Sequence, residues 1–395
     1  MGETKTPPAT SDPGSPYNRK HPFFAELTRH EHLTQPRSEK DTRHFVLQLA
    51  DSGITYIPGD SLGVFAQNPP ALVEEVISLL GFDPETPVKN PRGELSPLRQ
   101  VLAREYILNR ANRKIMGGLS ERIPQGEQRN RLMEIVDNGE VLSDYIYSRD
   151  YVDILREFDE AQFESAEAFL EQLSPVVPRL YSIASALRAH PGEVHLCISI
   201  VRYETHNRQK KGLCSGYFAD HAELFVKNIP IYVQETRSFR LPADGATDII
   251  MVGPGTGIAP FRAFLEQRTL EGATGRNWLF FGEQHRATDF LYGEEFLDYQ
   301  RRGKLTKLEL AFSRDQPHKI YVQHRMMENA REIWAWLQNG AYFYVCGDAK
   351  RMAKDVHQAL IAIAQLQGGL SAEAASEYIN TTLMRTERRY LRDVY

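Results

Sequence analysis

The sequence predicts two packed units: a small antiparallel β-barrel carrying a helical insertion, then an α/β doubly wound parallel sheet. Three observations carry this prediction. Extended segments at 44–50, 61–65, 179–185, 193–201 and 229–234 have the patterning and turn punctuation of antiparallel strands. Residues 70–173, between the second and third of these, have helical apolar spacing. From Asp248 onward strand and helix patterns alternate, as in parallel βαβ units.

Taken in order, residues 1–20 are rich in Pro, Ser and Thr and lack the apolar core of a secretory signal. They read as a disordered lead. The barrel unit is expected over 21–243. It opens with the strand HFVLQLA (His44–Ala50), the turn YIPGD (Tyr56–Asp60) and a further extended run, Ser61–Phe65. The insertion over 70–173 carries helical spacing at Leu72–Leu80, Pro97–Leu108, Arg129–Val136 and Ala161–Leu173. Strands at Arg179–Ser185, Glu193–Val201 and Ile229–Gln234 then close the barrel. The second unit, 244–395, has candidate strands at Ile249–Gly253, Trp278–Gly282, Leu305–Phe312, Tyr342–Cys346 and Leu391–Tyr395. Helical stretches at Pro260–Gln267, Glu294–Gln300, Val322–Leu337 and Met352–Leu366 separate them.

Bulk properties narrow the function. A chain of 395 residues exceeds what one core usually serves. The net charge of −5 disfavours general nucleic-acid binding, because the chain would repel phosphate. Three dispersed cysteines, Cys197, Cys214 and Cys346, form no C-x-x-C pair, against a disulfide framework or a structural zinc site. No histidine has metal-ligand spacing, so no metal is expected; His30 and His32 read as surface residues. No apolar run reaches the roughly 18 residues of a membrane helix. A cytoplasmic location without membrane attachment fits best.

The sharpest motif is MVGPGTGIAP, Met251–Pro260. A strand enters a glycine turn and then a helix, so backbone and helix N-terminus can approach a pyrophosphate around Gly255, Thr256 and Gly257. The spacing is not G-x-G-x-x-G, and a structural strand–helix turn remains the alternative. After the third sheet strand come Ser313, Arg314, Lys319, Tyr321 and Gln323. Their donors suit an extra phosphate monoester and favour NADPH, although a solvated loop would look the same. Glu283, ending the second strand, is a counter-signal, since an acid there can hold an NAD ribose.

In RLYS, alternation puts Arg179 and Tyr181 on one strand face, a cation beside an aromatic ring, with Ser182 next to them. Gly212-Leu213-Cys214-Ser215 resembles a second anion-binding helix start, or a helix capped by Ser215. Cys346 ends a sheet strand, where such sheets bind ligands; a buried structural thiol is the competing reading.

Together these segments resemble the FAD- and NADPH-binding half of the diflavin reductases, nearest to their assimilatory NADPH-sulfite reductase branch. The resemblance covers about Asn18 to Tyr395 and rests on YIPGDSLGV, RLYSIAS, VRY at 201–203, GLCS, FRLP at 239–242, VGPGTGIAPFRAF, Ser313–Gln323, YVCGDAKRMAKDV and ERRYLRDVY, in family order. It implies a ferredoxin-NADP reductase-like fold, with hydride passing from NADPH to N5 of FAD and electrons passing on singly. It further implies that Arg179, Leu180, Tyr181 and Ser182 hold FAD, with Cys197, Ile198, Ser199 and Tyr203 lining it and Gly212 to Ser215 cradling its pyrophosphate. Gly255, Thr256 and Gly257 would take the NADPH pyrophosphate. Ser313, Arg314, Lys319, Tyr321 and Gln323 would take the 2′-phosphate end, with Asp355 nearby. Tyr395 would stack on the flavin and shift to admit nicotinamide. Ser182, Cys346 and Asp393 would be catalytic.

Only the low-complexity lead precedes the match, so no FMN site is expected in this chain. The implied partner is a sirohaem/iron–sulfur sulfite reductase subunit, met directly or through a separate flavodoxin-like protein. Two alternatives stand: a reductase for a flavodoxin, ferredoxin or monooxygenase partner, and a non-catalytic redox-sensing or interaction module.

Overall fold

A computed structural model describes residues 15–395. The expected lead lies outside the described residues up to residue 14, and 15–20 run as largely exposed irregular chain. Six strands form the antiparallel sheet of the first unit: β1 (Phe23–His32), β2 (Thr42–Gln48), β3 (Ser61–Val64), β6 (Arg179–Ser182), β7 (Glu193–Ser199) and β10 (Lys227–Gln234). Their order is β6-β3-β10-β1-β2-β7, and an antiparallel bridge between Ile183 and Leu196 joins the two ends into a barrel. Period-two side chains such as Ala25 and Leu27 of β1 and Phe45 and Leu47 of β2 fill the inside. The expected strands omit β1, because its second half, Arg29–His32, is charged and exposed and hides the alternation. His30 and His32 lie on that exposed half.

The insertion forms a separate helical layer with its own core. Its elements are α1 (Pro70–Leu80), the hairpin β4 (Pro87–Lys89) and β5 (Leu95–Pro97), α2 (Leu98–Arg104), α3 (Arg113–Ser120), α4 (Glu127–Val136), α5 (Gly139–Tyr147), α6 (Tyr151–Glu157) and α7 (Ala166–Leu170). Two expected helices are shorter than their apolar patterns. The second ends at Arg104, and Ala161–Leu173 is helical only from Ala166, where Ser165 accepts a hydrogen bond from Ala168 N (3.2 Å). Helix α6 is missed by periodicity because nearly every side chain in it is buried; its start is marked by the Asp150–Asp153 capping box.

Backbone geometry explains how YIPGD and FRLP fit together. Gly59 has φ +100°, and a Cβ there would stand 1.9 Å from the carbonyl oxygen of Phe239. Asp60 beside it pairs with Arg240, so YIPGD and FRLP interlock where the chain leaves the barrel. Tyr56 OH lies 2.7 Å from Ser185 Oγ and donates to Glu193 O (2.9 Å), fastening the turn to RLYSIAS.

After the hairpin β8 (Arg202–Thr205) and β9 (Arg208–Lys211) and helix α8 (Leu213–Asp220), the second unit begins at β11 (Ile249–Val252). Helix α9 (Ala259–Leu270), β12 (Asn277–Glu283), α10 (Arg286–Asp289), α11 (Gly293–Arg301) and β13 (Lys307–Phe312) follow. Then come α12 (Val322–Glu328), α13 (Ala330–Gln338), β14 (Tyr342–Gly347), α14 (Met352–Gly368), α15 (Ala372–Glu377) and β15 (Tyr390–Val394). The five strands are all parallel in the order β13-β12-β11-β14-β15. The expected helix over Val322–Leu337 is two helices, broken at Asn329. Among the described residues no helix is long and apolar enough to cross a membrane.

Candidate active site

The carboxyl ends of β11, β14 and β15 face strand β6 of the barrel. Parallel register puts Asp393 beside Cys346. Ser182 Oγ donates to Asp393 Oδ2 at 2.5 Å, and Cys346 Sγ lies 3.9 Å from Ser182 Oγ and 3.8 Å from Asp393 Oδ2. Three residues distant in sequence therefore meet across the two units. Tyr395 is fixed by its backbone, with its N–H donating to Gly347 O (3.1 Å) and its carbonyl accepting from Ala349 N (3.0 Å). Its hydroxyl lies 3.0 Å from Thr256 Oγ1, while the residue is 53% exposed.

Beside this meeting point is a cavity of about 400 Å³. Arg179, Leu180, Tyr181, Ser182, Cys197, Ile198, Ser199, Gly212, Leu213, Cys214, Ser215, Thr256 and Tyr395 all border it. Tyr203 is the exception: it sits on hairpin strand β8, outside that lining. Helix α8 begins at the cavity with Gly212 as N-cap and no side-chain cap, so its first-turn N–H groups have no helical partner. Ser215 is therefore not the cap; its Oγ accepts from Val201 N at 3.2 Å. A Cβ on Gly212 would stand 2.7 Å from that Oγ, which keeps the helix start bare. A guanidinium, a helix N-terminus and an aromatic wall around one cleft suit a dinucleotide with a planar ring.

Burial sets the chemistry of the thiols. It pushes Cys197 and Cys214 up to about 12. Burial and then the Asp393 charge hold Cys346 well above the usual thiol range. Cys346 is therefore a neutral, polarizable contact at neutral pH and not a nucleophilic thiolate. Burial likewise holds the Tyr181 phenol protonated, well above its ordinary value.

The second cradle is the turn after β11. Gly255 has φ +58°, and a Cβ on Gly257 would lie 2.1 Å from the carbonyl oxygen of Cys346. The glycine at 257 lets the turn rest directly on β14, which places Thr256 beside Tyr395. Ser313, Arg314, Lys319, Tyr321 and Gln323 follow β13 and enter α12, with Arg314, Lys319 and Tyr321 exposed. Gln323 Nε2 donates to Asp355 Oδ2 (3.2 Å), bringing Asp355 into the group. Glu283 is not a free ribose acceptor: Lys40 Nζ lies 2.6 and 2.8 Å from its two oxygens.

Sequence reasoning missed the buried network that joins the units. Arg262 of α9 donates from Nη1 to Ala184 O (2.6 Å) and pairs with Glu266 and Glu295 at 2.9 Å each. Glu266 accepts from Ala186 N (2.7 Å) and lies 2.9 Å from His190 Nε2. This fastens the helix behind the glycine turn to residues two and four positions beyond Ser182. Burial alone would lower the Arg262 pKa, but the Glu295 and Glu266 charges outweigh it and raise the pKa. The signal available in sequence was an i, i+4 Arg–Glu pair within the apolar run that opens the helix.

Burial, then Arg262 and other cationic groups, depress His44 to about 3; burial, His44, His190 and Arg262 depress His195 to about 2. The 3.2 Å approach of His195 Nε2 to Glu193 is thus a hydrogen bond of neutral imidazole and not an ion pair. His190, Glu193 and His195 have ligand atoms within 4.8 Å of one another. The guanidinium 3.5 Å from His195 Nδ1 already supplies the cation there. A cavity of about 460 Å³ between the barrel and the helical layer is lined by exposed side chains such as Arg92 and Glu94 and brings together none of these groups.

Residues 15–217 match the family model described as FAD binding domain, and residues 251–358 match the one described as oxidoreductase NAD-binding domain. Three curated relatives are each named sulfite reductase (NADPH) flavoprotein alpha-component. That of Bacillus subtilis (strain 168) is 44% identical over 391 residues, 98% of this chain and 64% of that protein. That of Cronobacter sakazakii is 45% identical over 381 residues, 96% of this chain and 62% of the relative. That of Yersinia pestis is 43% identical, with 96% and 61% covered. The chain thus spans less than two thirds of these relatives' length.

Proposed function

Because the chain belongs to the FAD binding domain family and carries an oxidoreductase NAD-binding domain, we propose that it is an NADPH-dependent FAD reductase passing electrons singly to a protein acceptor. In this reading 21–243 is the FAD unit, with 70–173 as its insertion, and 244–395 is the NADPH unit. The observation that carries it is the meeting of Ser182, Cys346 and Asp393 beside Thr256 and Tyr395, where two cradles converge.

Bound FAD supplies the ability to accept a hydride and release electrons one at a time. The chain's own residues bind, orient and exclude water. Arg179 and the first-turn amides of α8 hold one pyrophosphate; Gly255, Thr256 and Gly257 hold the other. Tyr181 and Cys197 to Ser199 wall the ring side, and Tyr203 is assigned to the adenine side. Ser313, Arg314, Lys319, Tyr321, Gln323 and Asp355 take the 2′-phosphate end, with the guanidinium offering a forked pair of bonds. Tyr395 would cover the face of a bound flavin and would have to shift to admit nicotinamide, with its 3.0 Å contact to Thr256 Oγ1 as the latch. Asp393 holds the Ser182 hydroxyl in one orientation and balances positive charge developing beside it. Cys346 would meet the donor ring as a neutral thiol beside Ser182 and Asp393. Alignment of this kind is worth several orders of magnitude in rate.

The relatives' name extends the proposal to sulfite reductase; the sequence resemblance adds a cytoplasmic, assimilatory setting and a sirohaem/iron–sulfur subunit as acceptor, reached directly or through a flavodoxin-like protein. The test is a yellow FAD-loaded protein bleached far faster by NADPH than by NADH, with Arg314→Ala removing that preference. Equal rates in the unmodified protein refute the cofactor assignment. Turnover with a flavodoxin, ferredoxin or monooxygenase but not with sulfite reductase would reassign the acceptor.

A further inference from the structure

Residues 33–41, between β1 and β2, belong to the barrel yet bind along their length to the parallel-sheet unit. Gln35 N donates to Thr288 O (2.8 Å), and the Ser38 hydroxyl donates to the buried Asp289 carboxylate. Arg314 Nη1 donates to Glu39 Oε2 at 2.6 Å, and Lys40 grips both oxygens of Glu283. The two charged contacts fall on the edge of the dinucleotide cradle. Arg314 follows β13, while Glu283 ends β12 with its side chain only 4% exposed. Glu283 Oε1 lies 3.4 Å from where a Cβ on Gly255 would stand. An uncompensated carboxylate there would repel a dinucleotide, most strongly one with a third phosphate. It would also be free to accept a ribose diol.

We propose that the 33–41 strap determines cofactor choice: Lys40 neutralises Glu283 so that a 2′-phosphorylated nucleotide is accepted, while Glu39 occupies Arg314 until the 2′-phosphate displaces it. This rests on reading the Arg314 cluster as the 2′-phosphate site. Two neighbouring residues then act with opposite sign. A strap that only held the units together would weaken binding when either was changed, or leave it alone.

The test is calorimetric titration of the FAD-loaded full chain with 2′,5′-ADP and with 5′-AMP, which differ in the 2′-phosphate. Lys40→Met is expected to weaken 2′,5′-ADP by about tenfold relative to 5′-AMP, the scale of one uncompensated charge near a bound anion. Lys40→Met/Glu283→Gln is expected to recover to within about threefold of the unmodified protein. Glu39→Gln is expected to tighten 2′,5′-ADP by about threefold, the scale of an exposed ion pair. Equal weakening of both ligands by Lys40→Met, no recovery in the double variant, or weakening by Glu39→Gln overturns the proposal. Should Lys40→Met not fold, Glu283→Gln alone must bind 2′,5′-ADP at least as tightly as the unmodified protein. If the unmodified protein does not prefer 2′,5′-ADP over 5′-AMP, the 2′-phosphate reading itself fails. A preference that survives Lys40→Met unchanged sinks only the strap.

Discussion

Arg262→Met probes what holds the two halves of the site at their spacing. The Arg262 side chain is 9% exposed and that of Glu266 5%, with Arg262 bonded to Ala184 O at 2.6 Å and to Glu266 and Glu295 at 2.9 Å. Removing one partner of a buried pair costs about 3–5 kcal/mol, because the other charge is stranded. Glu295, at 30% exposure, recovers some hydration, and Met keeps most of the stem's packing. The expected loss is therefore about 3 kcal/mol. For 395 residues at an unfolding entropy of about 2.1 cal/mol/K per residue, Tm falls by about 4 °C when the chain melts as one unit. Scanning calorimetry on Arg262→Met, Glu266→Gln and the double variant measures this. Neutralising the stranded acid should return more than about 1 kcal/mol, so the double variant loses less than the sum of the singles. Strict additivity, or a loss under about 1 kcal/mol in Arg262→Met, would refute a charge-compensated core in favour of plain packing.

Stability should fall on mild acidification. An unfolded histidine takes its proton near 6.5, whereas buried His44 and His195 resist protonation down to about 3 and about 2. The native state then binds fewer protons below 6.5, so stability is lost as pH drops. Between pH 7 and pH 5 the two contribute about 4 kcal/mol of loss, and urea midpoints for His195→Gln should show about half of it gone. An unchanged pH slope in His195→Gln would contradict the assignment. Gly257→Ala would push its new methyl into the Cys346 carbonyl, 2.1 Å away. It should cost about 1–3 kcal/mol and weaken NADPH binding, read by thermal melts and KM; a silent substitution would mean the turn does not rest on β14 as described.

Much of the architecture was legible because its signals are local. The run from Ile249 to Pro260 is apolar strand, glycine turn and proline-started helix in one string, and the parallel sheet follows from its alternation. Strand β1 was not legible because polar residues dominate its exposed half, and α6 was not because burial on all sides erases its periodicity. The Ser182–Cys346–Asp393 cluster came from resemblance; spacing alone could not bring residue 182 to residue 393. Tyr203 came from the resemblance; it sits on hairpin strand β8 opposite Lys210 and does not border the cavity beside Ser182. The Arg262–Glu266 spacing was a local signal, but its contacts with Ala184, Ala186 and His190 were not visible, and neither was the 33–41 strap, because no local pattern marks a partner that lies in another unit.

Hydride transfer in this chain requires two cofactor rings to meet between the barrel and the parallel sheet at Asp393. Anaerobic stopped-flow bleaching of the FAD-loaded chain by NADPH, compared with Asp393→Asn, addresses it directly. The rate at saturating NADPH should drop at least about tenfold while the affinity for NADPH stays within about twofold. An unchanged bleaching rate in Asp393→Asn would place hydride transfer elsewhere in the molecule.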